Sequence, residues 1–244
     1  MRFLGKKVIL ILLVVFGLNE LAQAQGGTLG TRSNVHVGLE FSFLFQSEML
    51  QDFDDTVLDS TGMYSFLTSS RNSLRFGGYL RFDLFGRHSL ETGLYHVTRR
   101  YESIVSLEST GEELGRNRVR GVTFEVPLVW SVSIQTAENS FLSTGFGPVA
   151  TYFVSDFGVF DLEFELDAFK RARILPGVKA NVGFEHDFGR SGGLYFGATF
   201  QHNFQSIAFM QMDYHIDGES EAIGVVELNG SYFAAVVRYL FPMY

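Results

Sequence analysis

The side chains best placed for chemistry fall on the polar faces of alternating segments: Glu40, Asp83, Glu91, Glu125, Glu185 and Asp187, against Arg75, Arg81, Arg99, Lys179 and Arg238. Glu185 and Asp187 share one strand face, the relation a general acid and base would need. Lys179 near them offers a simpler use, an ion pair. The chain has 6 His, and none forms a His-x-x-x-His pair of the kind that grips zinc. His88 and Ser89 are adjacent, so on a strand they point to opposite faces. Cys is absent, which removes disulfides, thiolate metal sites and thiol redox chemistry. Gly77-Gly78 and Gly192-Gly193 fit a curved strand and a tight turn rather than a phosphate loop. No segment has the spaced Asp/Asn pattern of a calcium loop. No catalytic residue, metal ligand or cofactor is expected.

The elements that position these groups show a period of two. Val35, Val37, Leu39, Phe41, Phe43 and Phe45 alternate with His36, Gly38, Glu40 and Ser42, as in a strand with one apolar and one polar face. Leu74 to Leu84, Leu90 to Tyr101, Val122 to Ile134 and Phe141 to Phe153 follow, then Val178 to Phe188, Leu194 to Gln205 and Tyr232 to Phe241. The facing of the third segment is not fixed by its pattern. In the fifth, Leu142, Thr144, Phe146, Ala150 and Tyr152 are read outward, with Gly145 and Gly147 inward.

Short connections, near 86–88, 135–139 and 189–192, alternate with long ones near 47–70, 102–118, 154–173 and 207–227. Transmembrane barrels join their strands in this way, with tight periplasmic turns and longer outer loops. The pattern predicts an all-β fold, an eight-stranded antiparallel transmembrane β-barrel with short periplasmic turns and long extracellular loops. A soluble sandwich or lipocalin-like barrel would carry Lys, Glu and Asp on its solvated face. Here that face is rich in Gly, Ser, Thr, Tyr, Asn and Gln, and the apolar face in Phe, of which the chain has 26. Phe85, Trp130, Phe188, Tyr239 and Phe241 lie at strand ends, where an interfacial aromatic girdle is expected.

At the amino end, Arg2, Lys6 and Lys7 precede an apolar run from Val8 to Leu18 and then Ala22-Gln23-Ala24, the layout of a cleaved secretory signal. The run is too short for a membrane-spanning helix. The expected organisation is a signal peptide over 1–24, a short periplasmic segment over 25–33 and a barrel domain over 34–244. The net charge is −8, and loss of the leader makes it more negative, which excludes nucleic acid as a partner. The localisation expected is the outer membrane, with its lipid around the apolar faces.

Phe124-Glu125-Val126-Pro127-Leu128, Gly145-Phe146-Gly147-Pro148, the stretch Gly177 to Phe184 and the aromatic-ended Phe233 to Phe241 resemble the PorT-like outer-membrane β-barrel proteins of Bacteroidota. The resemblance covers most of the chain after the leader. It implies an outer-membrane location and, for some members, a role in the type IX protein secretion machinery. The last strand resembles the signal by which the barrel-assembly machinery recognises its clients, although Pro242-Met243-Tyr244 follow Phe241.

A ring of about eight strands is filled by its own side chains. The inward charges are therefore expected to pair and plug the lumen, since an unpaired buried charge is costly. With lipid outside and a packed interior, function is expected in the long connections. The first is acidic through Glu48, Asp52, Asp54, Asp55 and Asp59, with Met49, Leu50 and Phe53 among them. In the third, Phe157, Phe160, Phe164 and Phe169 alternate with Asp161, Glu163, Glu165 and Asp167, which suggests a hairpin extending the flanking strands. It reads either as a solvated extension or as a docking edge for another envelope protein. The leading expectation is a non-enzymatic scaffold or accessory subunit of an envelope complex, ahead of a narrow passive channel and a lipid A-modifying enzyme. Deacylases of the last kind place His and Ser two residues apart on a strand, and no His-x-Ser occurs in this chain.

Overall fold

The computed structural model describes residues 35–45, 55–161 and 163–242. The leader, the segment 25–33 and the loop residues Glu48, Met49, Leu50, Asp52, Phe53 and Asp54 lie outside the described residues.

Val, Ile, Phe, Tyr and Thr dominate the alternating segments, and such side chains pack well on a pleated surface. The described residues form β1 (Val35–Phe45), β2 (Asp55–Leu58), β3 (Tyr64–Arg71), β4 (Ser73–Asp83), β5 (His88–Leu107), β6 (Glu113–Ala137) and β7 (Ser140–Phe153). After these come β8 (Phe157–Val159), β9 (Phe164–Lys170), β10 (Ile174–Asp187), β11 (Gly193–Asn203), β12 (Ala208–Ile216), β13 (Glu219–Leu228) and β14 (Tyr232–Leu240).

Eight of these strands follow one another round a ring, β1-β4-β5-β6-β7-β10-β11-β14, every neighbour antiparallel. The β14–β1 ladder joins last to first, pairing Arg238 with Glu40 and Phe233 with Phe45. Each ring strand coincides with one of the alternating segments. In β1 the burial alternates strictly, with Val35, Val37, Leu39, Phe41, Phe43 and Phe45 exposed and His36, Glu40 and Ser42 buried. Ring closure leaves none of these strands with an unpaired edge, which suits a sheet that must satisfy its own backbone.

At one end the strands turn tightly over 84–87, 138–139 and 188–192. Gly86 and Asn139 hold positive φ there, of 59° and 60°, a conformation that Gly adopts freely and Asn tolerates. At the other end the connections fold into a second layer, here called the crown. β2 and β3 pair alongside the upper half of β5, and β8, β9, β12 and β13 form a separate four-stranded sheet. Between the two layers lies an apolar core that includes Phe66, Tyr101, Val105, Val119, Phe153, Phe164, Leu166, Ile207, Met210, Met212 and Val226.

Two expectations need correction. The stretch 102–118 is not a loop: β5 and β6 run for 20 and 25 residues and turn only over 108–112. On β6 the exposed faces of Arg116, Arg118 and Arg120 look out while Val119 is buried, as are Tyr101 and Val105 of β5 against the crown core, so the apolar face turns inward here, with Ser103 buried among it and Glu102 buried under the arginines. The Phe-rich connection does form a hairpin, β8–β9. It does not prolong β7 and β10, because β9 pairs with β12 instead. The third strand also acquires a facing, with Ser89, Glu91, Tyr95, Val97 and Arg99 buried and Leu94 exposed.

Candidate functional site

The largest cluster of titratable groups fills the ring. Alternation places one inward side chain from every second residue of each strand, and the register brings charges of opposite sign to the same level. Glu40 of β1 is the hub and is fully buried. One carboxylate oxygen accepts from Arg75 of β4 and lies 3.8 Å from the Lys179 ammonium of β10. The other accepts from Arg238 of β14 through Nε and Nη2, at 2.9 and 2.7 Å. Glu125 of β6 is a second hub, bonded by Arg99 at 3.2 Å, Gln201 at 3.0 Å and the Tyr232 hydroxyl at 2.7 Å. Arg75 links the two, its Nε lying 3.2 Å from Glu125.

Further pairs run towards the tight turns. Arg238 lies 3.6 Å from Glu91, which also accepts from Asn181 at 3.2 Å. Arg81 donates to Glu185 at 2.5 Å and lies 3.2 Å from Asp83, whose other oxygen is 3.0 Å from His36. Tyrosines complete the filling. The guanidiniums of Arg75 and Arg238 stack on the rings of Tyr95 and Tyr79, 3.5 and 3.6 Å from the centroids, which recovers part of the solvation that burial removes. Tyr79, Tyr195 and Tyr232 are among these tyrosines, counted from the sequence only as Tyr on the polar faces. Their inward period was the available signal.

Asp187 ends β10, where it accepts from the Gly189 backbone N–H at 2.8 Å. Glu185 is buried and held by Arg81, which makes an ion pair its evident use. The expected girdle residues Phe85, Trp130, Phe188, Tyr239 and Phe241 are all exposed at the tight-turn end. Trp130 donates to His88 at 3.2 Å, and the Tyr239 hydroxyl donates to the Ser191 carbonyl at 2.9 Å.

Two Ser–His contacts, invisible in the sequence because their members lie far apart, appear on the outer wall: Ser140 with His186 at 2.8 Å and His202 with Ser231 at 3.1 Å. A hydrolytic dyad needs a group that orients the imidazole. Among the described residues neither imidazole has a carboxylate partner, and no group of His, Asp and Glu is arranged to hold a metal ion.

The crown distributes the four expected partner-binding phenylalanines unequally. Phe164 is only 2 % exposed, in the apolar core, and so is not available to a partner. Phe157 is half-buried against Tyr101, with ring centroids 6.4 Å apart. Phe160 and Phe169 remain outside, at 82 % and 49 % exposure. The outward face of the four-stranded sheet combines Phe169, Ile223 and Val225 with Glu165, Asp167, Asp213 and Glu227. Burial, and then Asp167 beside it, raise the Glu165 carboxyl above its ordinary range. Asp59 secures the β2–β3 turn, accepting from the Thr61 hydroxyl at 2.5 Å and from the backbone N–H groups of Tyr64 and Thr61, each at 3.0 Å. Its burial would raise the carboxyl, but these bonds outweigh that and hold it at about 2.

No family model matches the chain, and no curated protein matches it; the resemblance to PorT-like proteins rests on the residues quoted for it. Among solved structures, the outer membrane protein OprG from Pseudomonas aeruginosa is similar in fold, with a TM-score of 0.54 at 11% identity, covering 86% of this chain and 96% of that one. The outer membrane protease OmpT from Escherichia coli gives a TM-score of 0.32 at 9% identity, over 87% of this chain and 96% of that one. The translocator domain of the autotransporter NalP from Neisseria meningitidis gives 0.27 at 9%, over 96% and 97%. The last two scores carry no argument. The fold is that of an outer-membrane β-barrel.

Proposed function

We propose that this chain is a non-conducting, non-enzymatic outer-membrane barrel that serves as an accessory subunit of an envelope protein complex, its crown being the surface that meets the other protein. In this reading the Phe-rich wall contacts hydrocarbon, the tight turns lie in the periplasm and the crown lies outside. The barrel-assembly machinery inserts it after export with a cleaved signal peptide.

The observation that carries the reading is the interlocked lumen. Glu40 is engaged from β4, β10 and β14 at once, and Glu125 from β4, β5, β11 and β14. An ion crossing this level would have to break charge pairs that have little water to replace them. The apolar crown core covers the upper end of the same interior. What remains exposed is the crown face with Phe169, Ile223 and Val225 amid carboxylates, which suits a partner with apolar and basic side chains.

Two measurements test it. In planar bilayers the purified protein is expected to give no steady conductance; an open pore would overturn the plug and favour a passive channel. A photo-reactive residue at Phe169 is expected to cross-link one envelope protein in living cells, identified by mass spectrometry. If the role implied by the PorT-like resemblance extends to this chain, that protein belongs to the type IX secretion machinery. Absence of any adduct, with the protein always migrating alone after gentle extraction, would end the subunit reading. A changed lipid A mass spectrum on deletion would instead support an enzyme.

A further inference from the structure

On the outer face of the β3–β5–β6 extension, arginines stand directly opposite one another. Arg71 pairs in register with Arg100, and Arg100 with Arg120, so one row of three strands presents three guanidiniums side by side. Like charges opposed in this way destabilise a sheet unless an anion joins them. In the next rows Glu102 pairs with Arg118 and Ile104 with Arg116. Glu102 is fully buried beneath this layer, and its carboxylate is contacted by Arg71, by Arg118 at 2.7 Å and by Arg116 at 3.7 Å. Arg116 is shared with Glu113 at 2.7 Å. Among the described residues no carboxylate lies within ion-pair distance of Arg100 or Arg120; Arg120 only reaches the Thr98 hydroxyl, at 3.5 Å. The surplus is positive, and it lines an open groove of about 570 Å³ formed by Arg71, Asn72, Arg100, Arg118 and Arg120 with their neighbours.

The position of the row gives the patch its meaning. Two residues along β6 from Arg120, roughly 7 Å at the rise of a strand, the apolar wall begins with Val122. It continues through Phe124, which packs on His96, which in turn packs on Phe76, at centroid distances of 5.6 and 4.9 Å. Leu74 is exposed beside them. A ligand filling both surfaces has an anionic head and acyl chains hanging directly below it.

We propose that this patch binds a phosphorylated, multiply acylated lipid of the outer leaflet, with a phosphate across Arg71, Arg100 and Arg120 and its chains along Leu74, Phe76, Val122 and Phe124. Guanidiniums suit the head, since each offers two parallel donors to phosphate oxygens. The low dielectric of the adjoining hydrocarbon strengthens the attraction. The inference rests on the membrane reading above, with the crown outside.

The test uses the full-length protein in phosphatidylcholine nanodiscs, with folding checked by the heat-dependent shift of its electrophoretic mobility. Diphosphoryl lipid A, the same lipid with its phosphates removed, and inorganic phosphate are the probes, and native mass spectrometry reads their occupancy. Diphosphoryl lipid A is expected to bind about tenfold more tightly than the dephosphorylated lipid, the size of one charge-assisted hydrogen bond. The exposed double variant Arg100→Ser with Arg120→Ser should abolish that preference while still folding. Equal binding of both lipids, an unchanged preference in the variant, or equal occupancy by inorganic phosphate overturns the proposal and leaves the membrane reading intact. Failure of the protein to insert into any nanodisc overturns both.

Discussion

The lumen of the ring and the core of the crown are both sealed from solvent, yet they are filled in opposite ways. The lumen holds Glu40, Arg75, Glu125, Lys179 and Arg238 among tyrosines; the crown holds Phe66, Leu166, Ile207, Met210 and Met212. The same strands serve both. Along β5 the inward side chains change from Glu91 and Arg99 to Tyr101 and Val105, and along β7 from Thr151 to Phe153. Along β6 the outward ones change from Val126 and Val122 to Arg120 and Arg118. The solvent outside explains the reversal. Where the outer wall meets hydrocarbon, apolar residues belong outside and polar ones must satisfy each other within. Where it meets water, the ordinary inside-out preference returns. In the membrane reading proposed above, the reversal between Arg99 and Tyr101 is where the upper edge of the bilayer falls.

The comparison can be broken at several points. The largest effect is expected from Glu40→Ala, which leaves Arg75, Lys179 and Arg238 with too little opposing charge. Loss of one partner from a buried ionic cluster costs about 3–5 kcal/mol, and the fluorescence of Trp130, the only tryptophan, should report it in urea titrations of the protein in vesicles. A cost below 1 kcal/mol would mean that the lumen is wet. In the crown, Leu166→Ala should cost about 2–5 kcal/mol through the cavity it opens. Because that core is separate, limited proteolysis should cut the crown while the ring stays intact; simultaneous loss of both would show a single cooperative unit.

Substitution on the two outer surfaces sharpens the contrast. Phe41→Arg, on the exposed wall of β1, should cost about 2–4 kcal/mol in a bilayer, whereas Ile223→Arg on the crown should stay within about 0.5 kcal/mol. Equal costs would contradict the assigned membrane edge. The smallest effect is expected at Asp59. Its carboxyl is held at about 2 against an ordinary 3.8, so its contribution is full above about pH 4 and is lost as pH falls towards 2. Asp59→Ala should cost about 1 kcal/mol and flatten the acid limb of a crown-unfolding curve over that window.

How much of this was legible followed from contrast between faces. The ring strands were readable because Phe, Val and Leu alternate with polar residues, as in Val35 to Phe45. The third resisted a facing because Thr92, Gly93 and His96 blur the difference. The lumen charges were legible as inward residues of opposite sign, with Asp187 at the very end of its strand. The crown was not. β2, β8 and β9 are 4, 3 and 7 residues long, and their partners come from distant connections, which no local period reveals. Arg116, Arg118 and Arg120 do alternate with Asn117, Val119 and Gly121, but that signal reads as a solvated loop unless the polarity reversal is anticipated. The docking phenylalanines were separable by the same period, Phe164 falling on the face of Leu166 and Ala168 and Phe169 on that of Glu165 and Asp167, but reading all four as one edge passed over it.

The crown core also has a consequence for the order of assembly. It gathers side chains from Tyr64 to Leu228, delivered through the β1–β4, β7–β10 and β11–β14 connections, while the β5–β6 hairpin forms from neighbours in sequence. Contacts so distant along the chain form slowly, and β9 can meet β12 only after β10 and β11 have been laid side by side. The β9–β12 part of the crown thus follows the pairing of β10 with β11, and protection of its amides against hydrogen exchange would time the finishing of that part of the wall.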